Sequence, residues 1–128
     1  MCIRDRAWPH FTPGLREALR LHVALPTPPA FLKDPALRLA TDPSTDPATR
    51  RNAGLILCRL DEHARGAAVL EVALAVGGAD PEALLELGRA CLALGRDGEG
   101  REFLRRALAA DPSPTLAAAA RAALGSDN

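Results

Sequence analysis

Aromatic residues are scarce in this chain of 128 residues: Trp8, Phe11, Phe31 and Phe103 stand alone, and there is no Tyr. That scarcity argues against a β-sandwich, whose strands favour aromatic and β-branched residues. The apolar share of 48% is met largely by Ala and Leu, which points to helices packed at short range. Net charge is absent too, because 16 basic side chains balance 16 acidic ones. The balance removes the electrostatic case for nucleic acid or an anionic membrane as partner. No run approaches the roughly 18–20 uninterrupted apolar residues of a membrane span. The three cysteines, Cys2, Cys58 and Cys91, form neither a CxxC nor a CxxCH motif. Cys58 and Cys91 lie in apolar helical stretches and read as small buried hydrophobes. A disulfide between them would require Cα atoms within about 7 Å.

Catalytic and metal-binding patterns are missing as well. His10, His22 and His63 have no partner at helical ligand spacing, and HExxH does not occur. His63 follows Asp61-Glu62 in a turn, where a solvated residue is the ordinary reading. There is no GxxxxGK[ST] loop, and the glycines from Gly95 to Gly100 follow no strand. GxSxG is absent, and Asp61-Glu62, being adjacent, cannot converge on a substrate from one helix face. The expectation is a non-enzyme with no cofactor and no metal. Arg101, Arg105 and Arg106 are interrupted by Glu102, which stands four residues before Arg106, so they read as a solvated charged face.

Residues 1–6, Met-Cys-Ile-Arg-Asp-Arg, lack the basic and apolar regions of a secretory signal. Back-translated as ATG TGT ATA AGA GAC AG, they resemble a transposase end used in preparing sequencing libraries. They are expected to be adapter-derived, with Cys2 non-native and the chain a fragment from assembled environmental DNA. Residues 7–46 are irregular and Pro-rich. Between Pro13-Gly14 and Pro26 there is room for one helix, and Ala36 to Ala40 forms a second short apolar stretch before Asp42-Pro43. Together they are candidates for a degenerate helical hairpin.

From Asp46 onward the pattern is regular. Asp46-Pro47, Asp80-Pro81 and Ser113-Pro114 each pair a capping residue with a proline suited to the first helical position. They are spaced 34 and then 33 residues apart. At an offset of 34, Gly54 falls on Gly88, Gly66 on Gly100, Leu70 on Leu104, and Ala73-Leu74-Ala75 on Ala107-Leu108-Ala109. Small residues recur where helices must touch and large ones where a gap must be filled.

In residues 81–114, Leu84, Leu87-Gly88, Cys91, Gly95, Gly100, Leu104, Ala107-Leu108 and Asp111-Pro112 resemble the tetratricopeptide repeat family. Cys91 departs from a usual Tyr and Gly100 from a usual Ala. Gly inside a helix costs about 0.5–1 kcal/mol relative to Ala, so a softer repeat is expected there. Residues 47–80 make a weaker copy, with Arg50 at an apolar position and Gly77-Gly78 replacing the terminal Asp-Pro. The start of that segment also resembles a HEAT-type repeat. Residues 115–128 read as an Ala-rich capping helix and tail. The resemblance implies an all-α fold of tandem antiparallel helix hairpins, an α-solenoid with a C-terminal cap.

The same resemblance implies where a partner would lie, on the concave side lined by the first helix of each hairpin. The family's contact positions fall on Ala48, Arg51, Asn52, Leu55, Cys58 and Arg59. In the second repeat they fall on Glu82, Leu85, Glu86, Arg89, Leu92 and Ala93. Arg51, Asn52, Arg59 and Arg89 are the expected donors and Glu82 and Glu86 the acceptors. Leu55, Leu85 and Leu92 are expected to form an apolar floor for a peptide or a partner's helix. The competing expectation is that these residues cover one another or an upstream hairpin. The functional expectation is a protein-interaction scaffold, or self-association, in a soluble bacterial protein of cytoplasm or periplasm. The alternative is the C-terminal appendage of an upstream glycosyltransferase, sulfatase or multihaem enzyme.

Overall fold

A computed structural model of the chain describes residues 14, 16–25, 27–78, 80–110 and 113–125. The readings on residues 1–13, Pro26, Asp111-Pro112 and residues 126–128 lie outside them. Among the described residues the secondary structure is helical throughout, without a strand. Residues 16–22 are helical (α1). A 3-10 turn, Ala30–Leu32, leads into α2 (Lys33–Thr41), followed by α3 (Pro47–Arg59) and α4 (His63–Gly77). Then come α5 (Pro81–Ala93), α6 (Asp97–Ala110) and α7 (Pro114–Gly125).

Helix starts follow their caps. Asp46 has extended backbone; its carboxylate accepts from the Thr49 N–H at 3.0 Å and from the Thr49 hydroxyl at 2.7 Å. Asp80 accepts from the Ala83 N–H at 3.2 Å. In both helices proline takes the first position, where no intrahelical N–H is needed. Both hairpin turns then close in the same way. Glu62 N–H donates to the Leu57 carbonyl at 2.9 Å, and Arg96 N–H to the Cys91 carbonyl at 2.8 Å. The residue before each donor has positive φ, 67° at Asp61 and 82° at Gly95. These are two Schellman closures in the same register, one built on Gly and one on Asp.

Within each hairpin a pair of glycines lets the helices touch. A Cβ on Gly66 would meet Cys58 Sγ at 2.5 Å and the Cys58 backbone nitrogen at 2.9 Å. A Cβ on Gly100 would meet the Gly88 carbonyl oxygen at 2.9 Å. At Gly100 the backbones approach too closely for an Ala to enter without a shift of its neighbours. Helix propensity is outweighed by contact between α5 and α6.

The core is made of three buried clusters in succession, bridged by the partly buried Val23, Leu74 and Phe103. Leu19, Leu32, Ala36 and Leu39 pack with Ile56 and Leu57, joining α1 and α2 to α3. Leu55, Leu70, Leu87 and Cys91 join the two hairpins, and Leu84, Leu104 and Ala107 meet Ala120 of α7. Each fully buried Leu or Ile contributes on the order of 1.5–3 kcal/mol of transfer free energy.

Candidate partner-binding groove

α3, α5 and α7 line a groove of about 750 Å³ on one face of the stack. Its geometry follows from helical spacing. Arg51 and Arg59 are two turns apart on α3, and Glu82 and Glu86 one turn apart on α5, so two stripes of opposite charge face each other. Arg51 donates from Nε to Asp80 at 2.7 Å and from Nη2 to Glu82 at 2.7 Å. Arg59 donates from Nη2 to the other oxygen of Glu82 at 3.1 Å and from Nε to Glu86 at 2.9 Å. Arg89 closes the series 3.5 Å from Glu86. The result is an alternating lattice, Asp80–Arg51–Glu82–Arg59–Glu86–Arg89.

Burial makes this lattice obligatory. The Glu86 side chain is 7% exposed and the Arg59 side chain 11%. A carboxylate so enclosed requires a cation and a hydrogen-bond donor: Arg59 supplies both, and Arg89 adds a second cation nearby. Burial works against ionisation of Asp80, yet the Arg51 hydrogen bonds and the Ala83 N–H outweigh it and hold its carboxyl below the usual range. Burial likewise opposes the charge on Arg51, and Asp80 and Glu82 together raise its affinity for the proton.

Six of the eight residues singled out in the sequence line the groove: Arg51, Arg59, Glu82, Leu85, Glu86 and Arg89. Asn52 stands beside it and accepts from Arg51 Nη1 at 2.9 Å. Leu55 is fully buried and belongs to the core joining the hairpins, so it supports the groove from beneath. Leu92 turns away from the groove and fills the space over Gly100. The expected donors and acceptors are brought together, and they satisfy one another. Among these donors and acceptors, Arg89, 45% exposed, and Glu82, 39% exposed, keep the most accessible charge, and Asp61 at the groove's edge is more exposed still.

Several groove residues were not singled out as site residues. Asp80 read only as a cap, yet it also anchors Arg51. Nothing in the sequence marked that second role, since the cap alone accounts for an Asp before Pro81. Thr115, Leu116 and Ala119 of α7 form the far wall, and Ala24 reaches the edge. Arg59 Nη1 also points at the Leu25 carbonyl, 3.5 Å away. Nothing in the sequence of α7 marks it as a groove wall, because its small residues read equally well as a cap.

Cys58 reaches the groove, but burial, reinforced by the charge on Glu86, pushes its thiol up to about 12. Thiolate chemistry near neutral pH is thereby suppressed. Cys91 is raised by burial as well, and both cysteines are free. Among the described residues, no three His, Cys, Asp or Glu side chains converge to hold a metal, and no helix is long and apolar enough to cross a membrane.

A family model described as tetratricopeptide repeat matches residues 59–124, just over half of the chain. The match takes in α4 to α7 and most of the groove. No curated protein and no solved structure matches the chain.

Proposed function

The chain belongs to the tetratricopeptide repeat family, and from that premise we propose that it is a non-catalytic interaction scaffold holding a peptide or a partner's helix in the α3–α5–α7 groove. The observation that carries this reading is the combination of an open volume with a charge lattice already assembled. Arg51 and Arg59 are fixed by carboxylates before any partner arrives, so little side-chain entropy remains to be lost on association. Leu85, Leu116 and Ala119 offer apolar contact, and Arg89 offers a half-exposed cation. A suitable segment presents an aliphatic side chain to Leu85 and Leu116 and a carboxylate to Arg89.

Selection of random displayed peptides against the full chain tests the reading. Enriched peptides are expected to lose affinity at least about tenfold on Arg89→Glu and on Leu116→Arg. Enriched peptides that bind both variants as tightly as the parent would remove the groove from consideration.

A further inference from the structure

The seam between α2 and α4 differs from its counterpart one repeat later. At the offset of 34, Ala40 falls on Leu74, Val69 on Phe103, Leu37 on Glu71 and Arg65 on Glu99. In the later seam, between α4 and α6, Leu74 and Phe103 pack half-buried against the cores on both sides. Arg96 bridges over them, donating to Glu71 at 3.0 Å and to Glu99 at 2.9 Å. The later seam is thus closed by the chain's own bulk and its own carboxylates.

The earlier seam has neither. Ala40 and Val69 are smaller than Leu and Phe, and a groove of about 540 Å³ remains between Leu37, Ala40, Leu57 and Val69. It continues into a second hollow of about 350 Å³ beside Arg50 and Val72. Arg38 and Arg65 stand on its rim, and no acidic side chain lines either stretch. Among the described residues the Arg38 side chain has no ion pair, and that of Arg65 reaches Glu62 only at 3.9 Å. Val72 and Val76 extend the apolar surface along α4, 53% and 70% exposed.

We infer that this seam is a second docking surface, taking an acidic peptide segment that carries one bulky apolar side chain. The anchor does at the first seam what Phe103 does at the second, and the flanking carboxylates meet Arg38 and Arg65 as Glu71 and Glu99 meet Arg96. Charge complementarity selects the class of partner: the rim is basic although the whole chain is neutral. The inference is independent of the α3–α5–α7 groove, since the two sets of lining residues share no member.

The test is an NMR titration of the full chain with a blocked Glu-rich peptide of about 12 residues, three turns of helix, bearing one central Phe. Saturable shifts confined to α2 and α4 are expected. They weaken about tenfold with the Arg38→Glu/Arg65→Glu double variant, whose substituted side chains are exposed, and with a Phe→Ala peptide. Ala40→Leu/Val69→Phe, which copies the second seam, abolishes binding while the helical circular dichroism is unchanged. Should that variant unfold, the arginine variant still decides. No saturable shifts, equal binding of a Lys-for-Glu peptide, or shifts centred on α3, α5 and α7 would each overturn the inference. So would a concentration-dependent dimer that Arg65→Glu dissolves, which would assign the seam to a second copy of the chain.

Discussion

Two neighbouring junctions in this molecule hold helices together by different physics. Where α3 meets α5 on the groove side, Arg51 and Arg59 interlock with Asp80, Glu82 and Glu86. Where α5 meets α7, Leu84 and Leu85 pack with Ala120, and Leu116 adds to the same cluster. An offset of 34 carries Arg51 onto Leu85 and Arg59 onto Ala93, so one register is ionic at one junction and aliphatic at the next. What stays constant is inside each hairpin: the glycine pairs, Leu70 and Leu104, and the Schellman turns. The repeat therefore fixes where helices meet and leaves the groove-facing positions free to specialise. That freedom lets one face carry a ready-made charge lattice beside an apolar wall.

The shared part of the two hairpins predicts the largest effect. Gly66→Ala and Gly100→Ala should each cost about 1–3 kcal/mol, because the added methyl meets backbone atoms that cannot retreat cheaply. Urea denaturation measures both. A glycine replaced without loss would break the equivalence of the hairpins. The ionic junction is distinguished next, by acid. Asp80 has a depressed folded pKa, so its contribution is complete above the unfolded value of about 3.9 and is lost as pH falls through the folded value. Asp46 behaves likewise, held down by the Thr49 hydroxyl and N–H. The melting temperature should accordingly drop as pH is lowered below about 4. An Asp80→Asn variant should show a shallower drop. The smallest change sharpens the turn comparison. Asp61 occupies the positive-φ position that Gly95 fills in the second hairpin. Asp61→Gly should stabilise by about 0.5 kcal/mol, relief of backbone strain exceeding the added freedom of the unfolded chain. Calorimetry showing a loss instead would mean that the Asp61 side chain holds the turn in some other way.

Much of the fold was legible in the residues themselves. Local chemistry dictates the starts of α3 and α5, since an Asp followed by Pro satisfies free N–H groups and presets φ whatever surrounds it. The period was equally plain, because Gly54, Gly66, Gly88 and Gly100 recur where the helices of a hairpin come into close contact. The groove was legible by face but not by partnership. The family resemblance placed Arg51 and Glu82 on the groove-lining helices; it could not say that they bond to each other and not to a ligand. Leu55 shows the same limit, because a helix seen alone does not reveal how deeply its neighbour covers it. The open seam between α2 and α4 was hidden for a further reason. Its existence depends on the summed volume of Ala40 and Val69, which are distant in sequence and individually unremarkable.

The claim that the first junction is ionic is tested most directly by a double-mutant cycle on Arg59 and Glu86, with Arg59→Met, Glu86→Gln and the pair measured by urea denaturation. The lattice predicts that each single change leaves a largely buried group short of a partner. The double variant should lose less than the sum, with a coupling of about 1–2 kcal/mol. Losses that add to within about 0.3 kcal/mol would contradict it. The junction would then rest on Leu55, Leu87 and their neighbours, with the charges merely lying above them.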